Sequence, residues 1–210
     1  HWDGIVLGAV KLVRSGRLGK VVRVEANMGG WGKPGDWWRG SKSISGGILY
    51  DWGVHVLEYT LQIVAADITE VTGYSWSGVW AGQTRWKKDT IEDDAALVVR
   101  YATGARSSLL ISQIDAKPTP GFIKVVGTKA TCSVNWDACE VVERKDDTTV
   151  TTRIPNPESE GWKLYQNIAD HLTKGTPLVI TPEWARRPIH ILDLANMSAR
   201  LGKALPAKYR

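Results

Sequence analysis

The chain has 210 residues, 43% of them apolar, enough to bury a sizeable core in one large domain or two small ones. Its 27 basic and 22 acidic residues leave a formal charge of +5, but the lysines and arginines are scattered, which argues against the clustered basic face of a nucleic-acid binder. No apolar run approaches the roughly 20 residues that cross a bilayer, and no signal peptide is visible, so a cytoplasmic protein is expected.

His1 rather than Met opens the sequence, so the chain is expected to be part of a longer translation product. Residues 4–15 place Ile5, Val6, Ala9, Val10 and Val13 at helical spacing. Gly16 and Gly19 flank a turn, and residues 21–28 alternate as a strand. Residues 29–47 hold seven glycines and Pro34 and read as a long loop, the kind that commonly carries function. A helix is predicted over 48–64. Stretches 68–79, 93–101, 105–114, 121–127, 131–134, 140–144 and 148–154 are rich in β-branched residues and read as strands. Short turns at 102–104, 135–136 and 146–147 imply mostly antiparallel pairing. Helices over 162–174, stopped by Gly175, and 182–201, opened by Pro182, close the chain. Strands segregated from helices predict an α+β fold, an open and mostly antiparallel sheet with helices packed on one face, as a single domain over residues 1–210.

Three patterns invite a chemical reading. Gly30-Trp31-Gly32-Lys33-Pro34-Gly35 matches G-x-G-x-x-G, but no helix opens after it, so a dinucleotide site is rejected. Cys132 and Cys139 flank Asn135-Trp136. A two-residue turn there would set the sulfurs on opposing positions, where a disulfide is conceivable, although two free cytosolic thiols are the favoured reading. No other Cys or His stands at metal-ligand spacing, so no metal site is expected.

The third pattern is the most informative. Ser45-Gly46-Gly47 leads into an apolar helical stretch that contains Asp51 and His55. Residues at i and i+4 share a helix face, so Asp51 is expected to hydrogen-bond the His55 imidazole and fix its tautomer. An imidazole held that way suits proton transfer near neutral pH. A helix-capping aspartate beside a packed histidine is the purely structural alternative. His171, beside Asp170 near a helix end, is assigned to the helix dipole, and His190 to packing.

With these residues in hand, the chain resembles the C-terminal domain of the Gfo/Idh/MocA oxidoreductases, the family of glucose–fructose oxidoreductase and inositol dehydrogenase. Four segments carry the resemblance, in the family's order. Leu12 to Val21 resembles the helix-turn-strand entry, and Trp38-Arg39 through Ser45-Gly46-Gly47 to Asp51-Trp52-Gly53-Val54-His55 resembles the S-G-G-G, D-x-G-x-H segment. Glu92 to Ala105 resembles the central strand pair, and Ser198 to Lys203 the final helix.

The resemblance implies a domain that binds substrate and supports oligomers in an NAD(P)-dependent dehydrogenase acting on a sugar, polyol or related secondary alcohol. It implies that NAD or NADP is held by an N-terminal Rossmann domain outside this chain, which also supplies the lysine of an E-K-P motif. It implies His55 and Asp51 as the catalytic pair, inactivity of this domain on its own, and self-association through the open sheet face into a dimer or tetramer. Trp38, Arg39 and Lys42 on the glycine-rich approach, and Trp162 and Tyr165 on the first terminal helix, are the candidate substrate-binding residues, through ring stacking and hydrogen bonds to hydroxyls or a carboxylate. The alternative is a stand-alone, non-catalytic carbohydrate-binding or assembly module of the same fold.

Overall fold

The computed structural model describes residues 1–208. The helices are α1 (Gly4–Arg14), α2 (Lys42–Ser45), α3 (Val54–Val64), α4 (Trp162–Lys174) and α5 (Pro182–Leu201). The strands are β1 (Val21–Gly29), β2 (Ile68–Trp76), β3 (Asp94–Tyr101), β4 (Arg106–Ser112), β5 (Ile123–Gly127), β6 (Ala130–Val134), β7 (Ala138–Lys145), β8 (Thr148–Pro155) and the short β9 (Leu205–Pro206). They form one sheet in the order β8-β7-β6-β5-β1-β4-β3-β2-β9. Only β1 and β4 run parallel, with Arg23 opposite Arg106 and Gly29 opposite Ser112; the other pairs are antiparallel. The expected α+β architecture, an open and mostly antiparallel sheet, is the one observed.

Strand periodicity divides the sheet into two unlike faces. Val24 and Ala26, Leu97 and Val99, Leu109 and Ile111, and Ile123 and Val125 are buried. They pack under α1, α3 and α5, which supply Val6, Leu57, Leu61, Ile191 and Leu192. Each such side chain stabilises by about 1.5–3 kcal/mol. On the other face Asn27, Ala96, Val98, Ser108 and Leu110 are half-buried, and no helix covers them. Amphipathic α4 behaves differently: it buries no residue, and Trp162, Tyr165 and Leu172 on it are 62%, 74% and 77% exposed.

The helix ends follow from their sequences. The Asp3 carboxylate accepts from the Ile5 N–H at 2.9 Å and caps α1. The Thr181 hydroxyl accepts from Trp184 N at 3.2 Å, with Pro182 in the first turn of α5. The His171 ring meets the Thr176 carbonyl at 2.8 Å, closing the end of α4 as its position suggests. Where α5 crosses β2, the fold needs Gly73: its N–H donates to Ser198 Oγ at 2.9 Å, and a Cβ there would lie 2.0 Å from the Ala195 carbonyl oxygen.

Four expectations need correction. The β6–β7 turn falls on Trp136-Asp137 and not on Asn135-Trp136, because Asn135 N donates to the Ala138 carbonyl at 2.9 Å and pairs those two residues. Val134 therefore pairs with Cys139 and Cys132 with Val141, so the cysteines are diagonal neighbours and not opposite each other. Diagonal positions lie about 7–8 Å apart, beyond the Cα separation a disulfide spans. Both are free, buried thiols, and the hydrogen bond with Cys139, reinforced by burial, pushes the Cys132 thiol well above its usual range. Second, β2 stops at Trp76, short of the expected 79. The buried Asp93 carboxylate takes the N–H groups of Gly78, Val79 and Trp80 at 2.6, 2.7 and 3.2 Å, which turns the chain out of the sheet. Third, the predicted helix over 48–64 opens with a π turn, Leu49–Gly53, before α3 begins. Fourth, β9 is an added edge pair that the sequence pattern does not signal.

The predicted loop over 29–47 carries more order than its glycines suggest. A 3₁₀ turn spans Trp38–Gly40, and α2 follows. Asp89 clamps α2 from a distant loop. It accepts from the hydroxyl of Ser41, and from the backbone N–H and hydroxyl of Ser43, both at 2.9 Å. These donors hold the Asp89 carboxyl below its ordinary value of 3.8.

Two outcomes follow from this packing. Gly73→Ala should cost roughly 3 kcal/mol of unfolding free energy by denaturant titration, because backbone cannot yield as a side-chain tip does. Asp89→Asn should lower the melting temperature at neutral pH. The wild-type contribution is complete above the unfolded-state value and is lost as pH falls through the depressed folded value. The gap between the two proteins should therefore close in melts taken from about pH 7 down to about pH 2.

Candidate functional site

The C-terminal ends of the parallel strands β1 and β4 open into a cleft of about 600 Å³, within the usual size of small-molecule sites. Asn27 to Gly32 line it from β1 and the glycine-rich loop, and Ile111, Ser112 and Gln113 from β4. Phe122, Asn135 and Trp136 close one side, and Asp51 and Trp52 on the π turn close another. Gln113 is held there by its main chain: its N–H donates to Asp93 O at 2.7 Å, and its carbonyl accepts from Gly32 N at 3.1 Å and from the Trp80 indole at 3.0 Å.

The π turn is built by a buried carboxylate. Glu92 Oε2 accepts from Ile48 N at 3.0 Å, and Lys42 Nζ pairs with Oε1 at 2.7 Å. Gly47, at φ +111°, permits the approach; a Cβ there would meet Glu92 Oε2 at 2.6 Å. A single π turn inside a helix is a frequent mark of functional sites. Here it carries Asp51 and Trp52 to the wall of the cleft.

The turn also changes the partner of Asp51. In a π turn the hydrogen bond spans i→i+5, so the i+4 alignment of an α-helix does not hold across it. Asp51 Oδ1 accepts from Arg39 Nη1 at 2.8 Å, and the expected Asp51–His55 hydrogen bond is not formed. His55 lies exposed one turn further on, in the first turn of α3, with its ring centroid 6.1 Å from that of Trp52. Arg39 is itself steadied from two sides, its guanidinium carbon 4.9 Å from the centroid of Trp37 and 5.2 Å from that of Trp38.

The structure thus brings together Asp51, Arg39 and Trp38, with Lys42 behind them on Glu92, while the His55 ring stands against Trp52. Among the predicted site residues only Asp51 lines the cleft. Trp162 and Tyr165 do not join them. Trp162 borders a second cleft with Leu7, Val10, Lys11 and Arg14 of α1, and Tyr165 projects from exposed α4. Asn27, Gln113, Asn135, Trp52 and Trp136 are cleft residues that sequence reading did not single out. Only the strand-end position of Asn27 and Gln113 offered a signal.

The glycine-rich motif does not have the setting of a dinucleotide site. The Gly30–Gly35 stretch is tied to the sheet by a bridge from Trp31 to Ile114 and runs on to a short 3₁₀ turn, so no helix N-terminus stands ready for a pyrophosphate. Among the described residues no group of three or more metal-ligating side chains gathers, and no helix is long and apolar enough to cross a membrane.

Comparisons with known proteins agree with this fold. An uncharacterized oxidoreductase of Schizosaccharomyces pombe is 26% identical over 103 residues, covering 48% of this chain and 26% of that protein. An NAD-binding protein from Listeria innocua superposes with a TM-score of 0.81 at 21% identity, over 98% of this chain and 61% of that one. A levoglucosan dehydrogenase, solved in complex with NADH, superposes with a TM-score of 0.78 at 15% identity, over 99% of this chain and 64% of that one. This chain therefore spans about a quarter of the curated relative and three-fifths of the solved structures. The pattern that defines the GFO/IDH/MocA C-terminal domain matches residues 6–133, more than half of the sequence, and on that match the chain belongs to this family of oxidoreductase domains.

Proposed function

We propose that this chain is the substrate-binding and oligomerisation part of an NAD(P)-dependent oxidoreductase acting on a secondary alcohol of a sugar or polyol. The coenzyme, held by a domain outside this chain, supplies the hydride acceptor. The observation that carries the reading is the π turn: it sets Asp51 on the wall of an amide- and indole-lined cleft and leaves His55 exposed one turn away. In this reading the alcohol lies between the two, and the imidazole takes the hydroxyl proton. Asp51 orients the alcohol or the ring. Its bond to Arg39 joins two partly exposed groups and is worth on the order of 1 kcal/mol, so a ligand hydroxyl or the His55 ring can displace it. Trp38 and Arg39 then form the approach, with Lys42 fixing the turn through Glu92.

The levoglucosan dehydrogenase likeness supports a carbohydrate-derived substrate for the proposal. The uncovered sheet face, with Ala96, Val98, Ser108 and Leu110 at its centre, supports self-association. One observation favours the second reading, a non-catalytic carbohydrate-binding module: His55 has no carboxylate orienting it in this state.

The two readings separate on kinetics. In the parent protein with its nucleotide-binding domain, His55→Ala should lower kcat/KM for hydride transfer by about 10²–10⁴-fold. An unchanged value removes His55 from the chemistry. On the open face, Val98→Lys should shift the chain toward monomer in sedimentation velocity, because it sets a charge in the middle of an apolar contact. An unshifted distribution removes that face from the assembly.

A further inference from the structure

Among the described residues, α4 is the one longer helix that buries no residue, and none of its side chains joins the core. Its sequence is nevertheless written for packing. Trp162, Tyr165, Ala169 and Leu172 recur at spacings of three, four and three, which sets them in one stripe along the helix. The charged side chains keep to the other side and form local ion pairs, Lys163 with Glu160 at 2.6 Å and Lys174 with Asp170 at 2.7 Å. Trp162, Tyr165 and Leu172 are left open to solvent. A helix of this length is marginal in water without tertiary packing, and an apolar stripe of this kind marks an interaction surface.

The stripe runs into the second cleft. That opening, about 760 Å³, lies between α1 and the start of α4; buried Val10 floors it, Trp162 borders it, and exposed Lys11 and Arg14 stand at its edge. The first residues of the chain are fixed at the same place. Glu160 N donates to the Trp2 carbonyl at 2.7 Å, and Gly4 N to Ser159 Oγ at 2.9 Å. Gly4 permits the contact, since a Cβ there would lie 2.0 Å from the Pro157 carbonyl oxygen. Polypeptide joined ahead of His1 is therefore delivered beside Trp162, and the solved relatives, of which this chain spans about three-fifths, have further polypeptide to place. A second copy of this chain is a poorer occupant. Two paired helices, each about 20 Å long, fall well short of the contact area that holds two proteins together.

We propose that the nucleotide-binding domain of the parent protein seats on the Trp162, Tyr165 and Leu172 stripe of α4 and fills the cleft between α4 and α1. Trp162 and Tyr165 then anchor one domain to the other and do not stack on a sugar, and α4 gains the packing that it lacks in this chain. The proposal rests on the reading of this chain as one part of a coenzyme-dependent enzyme. It adds the surface on which the other part sits, and it concerns contact and not the redox step.

The test is hydrogen–deuterium exchange measured on the parent protein and on the 210-residue chain. Amides of residues 162–174 should exchange at least about tenfold more slowly in the parent. Tyr165→Lys and Leu172→Lys keep a good helix former at each position. They should leave the melting temperature of the 210-residue chain unchanged, because both side chains are exposed there. In the parent the same two changes should restore fast exchange in α4 and separate one melting transition into two. Equal exchange of α4 in both proteins, or a parent indifferent to both lysines, overturns the proposal. Protection of α4 in the 210-residue chain that rises with its concentration also overturns it and gives the stripe to a second copy. Hydride transfer by the parent is read separately. An active parent whose α4 exchanges freely defeats the seat and leaves the dehydrogenase reading standing. A parent with α4 protected and no turnover of sugars or polyols defeats the dehydrogenase reading and leaves the seat standing.

Discussion

The buried carboxylate of Glu92 decides where the π turn ahead of α3 begins. It takes the Ile48 N–H, draws in Lys42 and crowds Gly47 so closely that no side chain fits between. A carboxylate removed from water costs several kcal/mol unless it is paired and hydrogen-bonded, so these partners have little freedom to move. The π turn after Ile48 therefore starts at one place, and Asp51 and Trp52 reach the cleft as a consequence. Anchoring of this kind suits a site that must keep its shape while ligands enter and leave.

Much of the architecture was legible because it rests on periodicity. Val24 and Ala26, Leu97 and Val99, and Leu109 and Ile111 alternate as half-buried strands must, and Ile5, Val6 and Ala9 repeat as a helix must. Boundaries were less legible where a distant group intervened. Nothing local to β2 foretells that Asp93 will capture the three amides after Trp76. Nothing near Asn135 places the turn at 136–137 instead of 135–136, yet that displacement by one residue moves Cys139 from opposite Cys132 to opposite Val134. Short β9 lies below the length at which a pattern can be read.

The candidate site divides the same way. The glycine-rich approach and the D-x-G-x-H stretch pointed to the turn that lines the cleft, because glycines at positive φ and a carboxylate near a helix start are local signals. The Asp51–His55 contact was misjudged because spacing arguments assume α geometry, and the chain adopts a wider turn there. Trp162 and Tyr165 are rings on a helix that buries no residue. The residues that do line the cleft come from six separate segments, from Asn27 to Trp136. Their convergence is a property of the topology and not of any one segment.

The parallel pairing of β1 with β4 has a consequence for how the molecule is made. Hairpins β5–β6, β6–β7 and β7–β8 join neighbours in sequence and need only short loops to close. The middle of the sheet cannot form that way, since Arg23 must find Arg106 across two intervening helices and two intervening strands. That search carries a large loop-closure entropy before any contact rewards it. Assembly of the chain is thus paced by its centre, and the cleft at the end of β1 and β4 is among the last features to exist.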